Sequence, residues 1–167
     1  ESDIYIVTVG TPLKKNSKSP DIDHAKKAIE AISKKLKKGD LIILRSTLPV
    51  GFTRKIAIKI IEKLSNFKIS KDISLAVCPE RTAEGKALVE LDTLPQIVGA
   101  ADDLSYELAS RLFNINTHTV IDVGDTDSAE MCKILDNTFR DTIFAFSNQM
   151  ALYFEKSNLN LKRLIDS

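Results

Sequence analysis

Leu41-Ile42-Ile43-Leu44-Arg45-Ser46-Thr47-Leu48-Pro49-Val50-Gly51 sets the architecture of this chain. An unbroken apolar run of strand length that closes on Ser-Thr-x-Pro reads as a strand buried on both faces and ending in a turn. A helix follows from about Phe52 to Leu64, so the unit is strand, loop, helix. The same grammar extends outward. Toward the N-terminus, Asp3 to Val9 is a β-branched strand closed by Gly10-Thr11-Pro12. Ser19-Pro20-Asp21 then caps a helix whose inner face is Ile22, Ala25, Ile29, Ile32 and Leu36, with Gly39 as its stop. Toward the C-terminus come a strand at Ile73 to Val77, an acidic and basic loop from Cys78 to Leu88, and a strand at Gln96 to Val98. A helix from Asp102 to Phe113 and a strand at Thr117 to Val123 complete the series. The last element is a helix opened by Asp127, with Glu130 three positions on as a capping box, and it continues to about Glu155. At 1.5 Å per residue its length is roughly 42 Å.

Strands alternating with helices predict an α/β fold: a partial Rossmann-like, doubly wound parallel sheet, followed by a long helix that begins a helical domain. Ligands of such sheets lie beyond the carboxyl ends of the strands, where the loops at Gly10-Thr11-Pro12, Ser46-Thr47-Leu48-Pro49 and Cys78-Pro79-Glu80 fall. A helix longer than the sheet is wide must pack elsewhere beyond about Phe146, on a second helical layer or a partner subunit.

Composition narrows the function. The 167 residues carry a net charge of +1, which gives no field to attract nucleic acid. The basic clusters at Lys14, Lys15 and Lys18, and at Lys34, Lys35, Lys37 and Lys38, lack interleaved aromatics and read as solvated faces. No apolar run reaches membrane-span length and no leader pattern opens the chain, so the expectation is a cytoplasmic protein. Cys78 and Cys132 sit in no metal-ligand spacing and are expected reduced; His24 and His118 read as structural or surface residues, against a His-based triad and any metal site.

Three groups of residues could carry chemistry. Lys133, Asn137 and Arg140 recur along one face of the long helix, flanked by apolar positions, and a Lys with an Asn one turn away can hold an oxyanion. A solvent stripe with a pair such as Asp136 to Arg140 fits the same spacing. Glu80 and Glu84 can divide acid and base roles, or pair with Arg81 and Lys86. Thr47 and Thr11 stand at strand ends where a hydroxyl can orient a water or cofactor, or simply build a turn.

In register, Val-Gly-Thr-Pro, Ser-Thr-Leu-Pro-Val-Gly, Pro-Glu-Arg-x-x-Glu-Gly-Lys-Ala-Leu, Gln-Ile-Val-Gly and Ala-Glu-x-x-Lys-x-x-x-Asn-x-x-Arg-Asp resemble the nucleotide-sugar 6-dehydrogenases, the UDP-glucose and GDP-mannose dehydrogenases, and within them the UDP-N-acetylhexosamine branch. The resemblance implies NAD-dependent oxidation of the C6 alcohol of a UDP-sugar to the uronate, and a homodimer formed through the long helix. It places Thr11, Thr47 and Glu84 at the cofactor, with Thr47 also placing a catalytic water and Glu84 serving thioester hydrolysis. Lys133 and Asn137 become the oxyanion pair; Glu80, Arg81 and Arg140 join them in the substrate pocket.

The departures are as informative. None of the six Gly forms the phosphate-binding GxGxxG, and neither Cys stands where the family's nucleophile belongs. Gln149 stands where relatives commonly carry Glu. The expectation is therefore a fragment, with residues 1–124 the C-terminal part of the NAD-binding domain and 125–167 the start of the central helical domain, inactive alone. Two other readings fit part of the pattern. A 3-hydroxyacid or 6-phosphogluconate type dehydrogenase accounts for Lys133 and Asn137 but not for the Glu80 loop, and a non-catalytic dimerisation module accounts for the apolar stripe Phe139, Ile143, Phe146, Met150 and Phe154.

Overall fold

A computed structural model describes residues 2–82, 85, 87–157 and 162–163, with the side chains of 87 and 88 left aside. The chain forms two compact units, Glu1–Lys133 and Ile134–Ser167.

The first unit is an α/β layer around five strands: β1 (Ile4–Val7), β2 (Leu41–Leu44), β3 (Ser74–Val77), β4 (Gln96–Ala100) and β5 (Val120–Asp122), ordered in space as in sequence. Strands β1, β2 and β3 are parallel, so Val7, Leu44 and Val77 lie side by side at one edge. Strand β2 is buried along its whole length, as its continuous apolar run requires. Alternate side chains point to opposite faces. Ile42, Leu44, Leu75 and Val77 pack under α1 (Asp23–Ser33) and α2 (Ile58–Ser65) with Ile29, Phe52 and Ile61. Leu41, Ile43, Ala76 and Val98 pack on the other face with Ala109 of α4 (Asp103–Phe113). Each fully buried Leu or Ile contributes about 1.5 to 3 kcal/mol to this two-sided core.

The sheet is Rossmann-like but mixed. Strand β4 pairs antiparallel with β3, and β5 runs parallel to β4, correcting the all-parallel expectation. The reason lies in the connection. Among its described residues, the chain between β3 and β4 contains one short helix, α3 (Ala87–Thr93), which sequence periodicity did not separate from the loop. The segment returns to the edge it left, where the Gln96 amide donates to the Pro79 carbonyl at 3.4 Å. A parallel strand would need a crossover back to the opposite edge.

The long helix α5 runs from Thr126 to Ser157. Its start corrects the predicted capping box: Asp125, not Asp127, accepts the Ser128 N–H at 2.8 Å. Asp127 pairs with Arg54 at 2.6 Å, and Glu130 turns away from its own helix. Gly99 lets α5 start against β4, because a Cβ there would lie 2.2 Å from the Asp125 carbonyl oxygen and 2.8 Å from Ala129 Cβ.

The second unit is described here by the remainder of α5 and residues 162–163. Leu135, Phe139, Ile143 and Phe146 recur along it at helical spacing and are exposed. Tyr153 and Phe154 meet edge to face at 5.9 Å.

Candidate active site

Three strand ends emerge together at the carboxyl edge of β1, β2 and β3, and their loops are stitched to one another. The Thr11 hydroxyl donates to the Thr47 carbonyl at 2.6 Å, and the Ser46 hydroxyl donates to the Val9 carbonyl at 2.6 Å. The Glu80 N–H reaches the Arg45 carbonyl at 3.3 Å. Thr11 is half-buried by this arrangement, while the Thr47 side chain stays exposed at the rim.

Beside them sits a charged network that sequence reasoning found only in part. Arg45 is 9% exposed, and its guanidinium donates to Glu80, with which it forms an ion pair, and to the Gln96 side-chain oxygen at 2.9 Å. It also lies 4.9 Å from the Phe113 ring centroid, a cation over an aromatic face. The other oxygen of Glu80 accepts the N–H groups of Arg81 and Thr82 at 2.8 and 2.9 Å. Burial pushes the Glu80 carboxyl up, but the Thr82 and Arg45 hydrogen bonds outweigh it and hold the group below the usual carboxylate value. Glu80 is thus ionised with both oxygens engaged, and its work here is to fix the loop. Arg81 anchors the same loop to the Pro95 carbonyl at 3.3 Å. With Gln96, Phe113 and Thr117, these residues line a cleft of about 300 Å³. The signal for Arg45 was in the sequence, as a cation at the end of an otherwise apolar run; Gln96 entered only as the first residue of the Gln-Ile-Val-Gly motif, and Phe113 carried none.

Glu84 lies outside the described residues. Lys133 closes the first unit as a half-buried residue of α5; Asn137, one turn on, and exposed Arg140 belong to the second. The structure therefore brings Thr11, Thr47, Glu80 and Arg81 to one edge of the sheet.

The carboxylate that sequence reading assigned to a local cap does something else. Glu130 is 2% exposed and accepts the Gly51 N–H at 2.6 Å, the Thr53 N–H at 2.9 Å and the Thr53 hydroxyl at 2.6 Å. Burial pushes its carboxyl up, and the donors of Thr53 and Gly51 oppose that rise. Cys78 is fully buried, and burial pushes its thiol up to about 12 against the opposing charge of Arg45, so it is no nucleophile.

A doubly covered Rossmann-like sheet with hydroxyl and carboxylate loops gathered at the carboxyl edge of its parallel strands defines a nucleotide-binding domain. The chain belongs to the UDP-glucose/GDP-mannose dehydrogenase family: residues 1–117 match its NAD binding domain and residues 127–167 its central domain. It is 36% identical to the UDP-N-acetyl-D-mannosamine dehydrogenase of Campylobacter jejuni over 99% of this chain and 42% of that protein. It is 34% identical to the NDP-N-acetyl-D-galactosaminuronic acid dehydrogenase of Ralstonia solanacearum, over 98% of this chain and 40% of that one. Among solved structures, the UDP-D-ManNAc dehydrogenase of Pyrococcus horikoshii superposes with a TM-score of 0.91 at 30% identity, covering 99% of this chain and 39% of that one. The chain thus spans about two fifths of the length of these relatives.

Proposed function

We propose that the protein carrying this chain oxidises the C6 alcohol of a UDP-N-acetylhexosamine to the carboxylate with NAD. The observation that carries the reading is the joining of the Thr11, Thr47 and Glu80 loops at one sheet edge, in a chain whose similarity to UDP-N-acetyl-D-mannosamine dehydrogenases runs through nearly every residue. The balance is a four-electron oxidation: one alcohol, two NAD and one water give one carboxylate, two NADH and three protons. NAD, when bound, supplies the hydride acceptor, and the Thr11 and Thr47 loops fit its nicotinamide end because they crowd hydroxyls and carbonyls at the strand termini.

Each residue then has a task. Lys133 and Asn137 stabilise the oxyanion that develops at C6, a contribution of about 100-fold to 1000-fold per donor. Thr47 orients the water, and Glu84 takes its proton in the hydrolytic step. Glu80, held by Arg45, keeps the loop in place, while Arg81 and Arg140 meet the substrate. In this reading residues 1–124 complete the NAD-binding domain and residues 125–167 open the central one. The exposed stripe of Leu135, Phe139, Ile143 and Phe146 is covered by a second copy of the same helix. Among the described residues no helix is long and apolar enough to cross a membrane; with a nucleotide sugar and NAD as reactants, the proposed location is the cytoplasm.

The test is the intact protein with NAD and UDP-N-acetylmannosamine. Two NADH formed per sugar consumed is the expected result; no NADH with any UDP-N-acetylhexosamine overturns the reading, and turnover of a 3-hydroxy acid instead selects the hydroxyacid alternative.

A further inference from the structure

We propose that Glu130 is a positioning residue: from the first turns of α5 its carboxylate caps the helix that follows the Thr47 loop, and so fixes that loop relative to the helix bearing Lys133. The inference rests on the proposed roles of Thr47 and Lys133. Its geometry stands independently of them.

The chain turns into a helix at Thr53–Ala57, a π-helical turn that continues into α2. The first N–H groups of such a helix have no partner within it. An N-cap side chain usually supplies one, but Phe52 occupies that position, makes no side-chain cap and is 1% exposed in the core. Glu130 supplies the missing acceptor from another element. One of its oxygens takes the Gly51 N–H and the other takes both Thr53 donors. A carboxylate at this end also meets the positive end of the helix dipole. Gly51 has a φ of +84°, so the residue that Glu130 grips sits in the left-handed region that favours glycine.

The consequence concerns the site. Thr47 is four residues before Gly51, and Lys133 is three residues after Glu130 on the same side of α5. A displacement of about 1 Å between reacting groups can cost about 100-fold in rate. Losing the grip on Gly51 therefore lowers the catalytic step more than it lowers substrate affinity.

Glu130→Gln separates the bonds, because an amide keeps one acceptor for the Thr53 donors and turns its own N–H against that of Gly51. In the intact enzyme the expected result is a kcat lowered by about 10-fold to 100-fold, with the KM for the UDP-sugar within about threefold. Ser105→Ala serves as the control, since it removes the buried hydroxyl that accepts the Leu75 N–H at 3.0 Å, far along the chain from the Thr47 loop. It lowers stability and leaves kcat within about twofold. A Glu130→Gln enzyme with kcat within twofold of wild type, or an equal loss of kcat in Ser105→Ala, overturns the proposal.

Amide exchange tests it whatever the activity. In Glu130→Gln, and in Glu130→Asp should the first variant fail to fold, the amides of residues 47, 48 and 50–53 exchange faster while those of β2 and β3 do not. Unchanged exchange in that loop refutes the positioning role. An inactive wild type with the expected exchange refutes only the proposed activity.

Discussion

Replacing Arg45 by Met keeps an apolar stem of similar length and removes the guanidinium, with its bond to Glu80, its 2.9 Å bond to Gln96 and its seat 4.9 Å over Phe113. Hydrogen bonds to charged groups contribute about 1.5 to 3 kcal/mol when buried and exposed ion pairs about 0.2 to 1. The Arg45 side chain is 9% exposed but that of Glu80 is 40% exposed, so water can partly replace the lost cation. The expected cost of Arg45→Met in the intact protein is about 2 to 3 kcal/mol. A double-mutant cycle with Glu80→Gln isolates a coupling of about 1 to 1.5 kcal/mol between the pair.

The pH dependence has a definite sign. The Glu80 carboxyl is held below its ordinary 4.5 in the native state. As pH falls, the unfolded chain takes up the proton first. The contribution of Glu80 is therefore complete above about 4.5 and disappears as pH drops through the lower native value. Urea unfolding of wild type and Glu80→Gln across pH 3 to 7 reads this directly: their difference in unfolding free energy is flat at the upper end and shrinks at the acid end. A coupling indistinguishable from zero at pH 7, or a wild-type advantage that grows on acidification, refutes the assignment of Glu80 as a held, ionised carboxylate.

Three further outcomes follow from the geometry. Gly99→Ala drives a Cβ to 2.2 Å from the Asp125 carbonyl oxygen, and because backbone cannot swing aside it costs about 3 kcal/mol by denaturant unfolding; a loss under about 1 kcal/mol contradicts the close approach of α5. Cys78, buried with its thiol pushed up to about 12, stays unlabelled by a maleimide at pH 8 until urea is added, whereas half-buried Cys132 reacts in the native protein; equal labelling rates refute the burial argument. Lys133→Ala lowers kcat of the intact enzyme by about 100-fold to 1000-fold, and an unimpaired variant reduces α5 to architecture.

Local signals carried the elements, and their failures have physical causes. Leu41 to Leu44 is readable as a buried strand because both its faces are covered, and nothing in the run needs a distant partner to be interpreted. The direction of β4 is not readable in Gln96 to Ala100, since an apolar strand looks the same run either way. It is decided by a connection that stays at one edge. Helix α3 escaped because its seven residues give too few turns for a periodicity to emerge. Thr11 and Thr47 were legible through their motifs as residues of strand-end loops, but the bond between them joins residues 36 apart and belongs to the fold.

Glu130 shows the same limit from the other side. Three positions after Asp127, its spacing satisfies a capping box, and a local rule has no means of preferring Gly51 and Thr53, which are more than 70 residues away. What decides between the two uses is burial. An acceptor on a side chain 2% exposed needs a donor, and the N–H groups of Gly51 and Thr53 flank a core Phe that offers them nothing. Each deficit supplies what the other needs, so the acid and the uncapped helix meet. The Arg45 and Glu80 pair follows the same logic at the next strand end: a cation that the core excludes from water is answered by the carboxylate that begins the next loop. The loop that carries Thr47 is thereby bounded by two carboxylates from distant parts of the chain, Glu80 at its beginning and Glu130 at its end. The bonds at its two ends hold its conformation, which is the condition under which the proposed orienting of a water or a nicotinamide needs no reorganisation during the reaction.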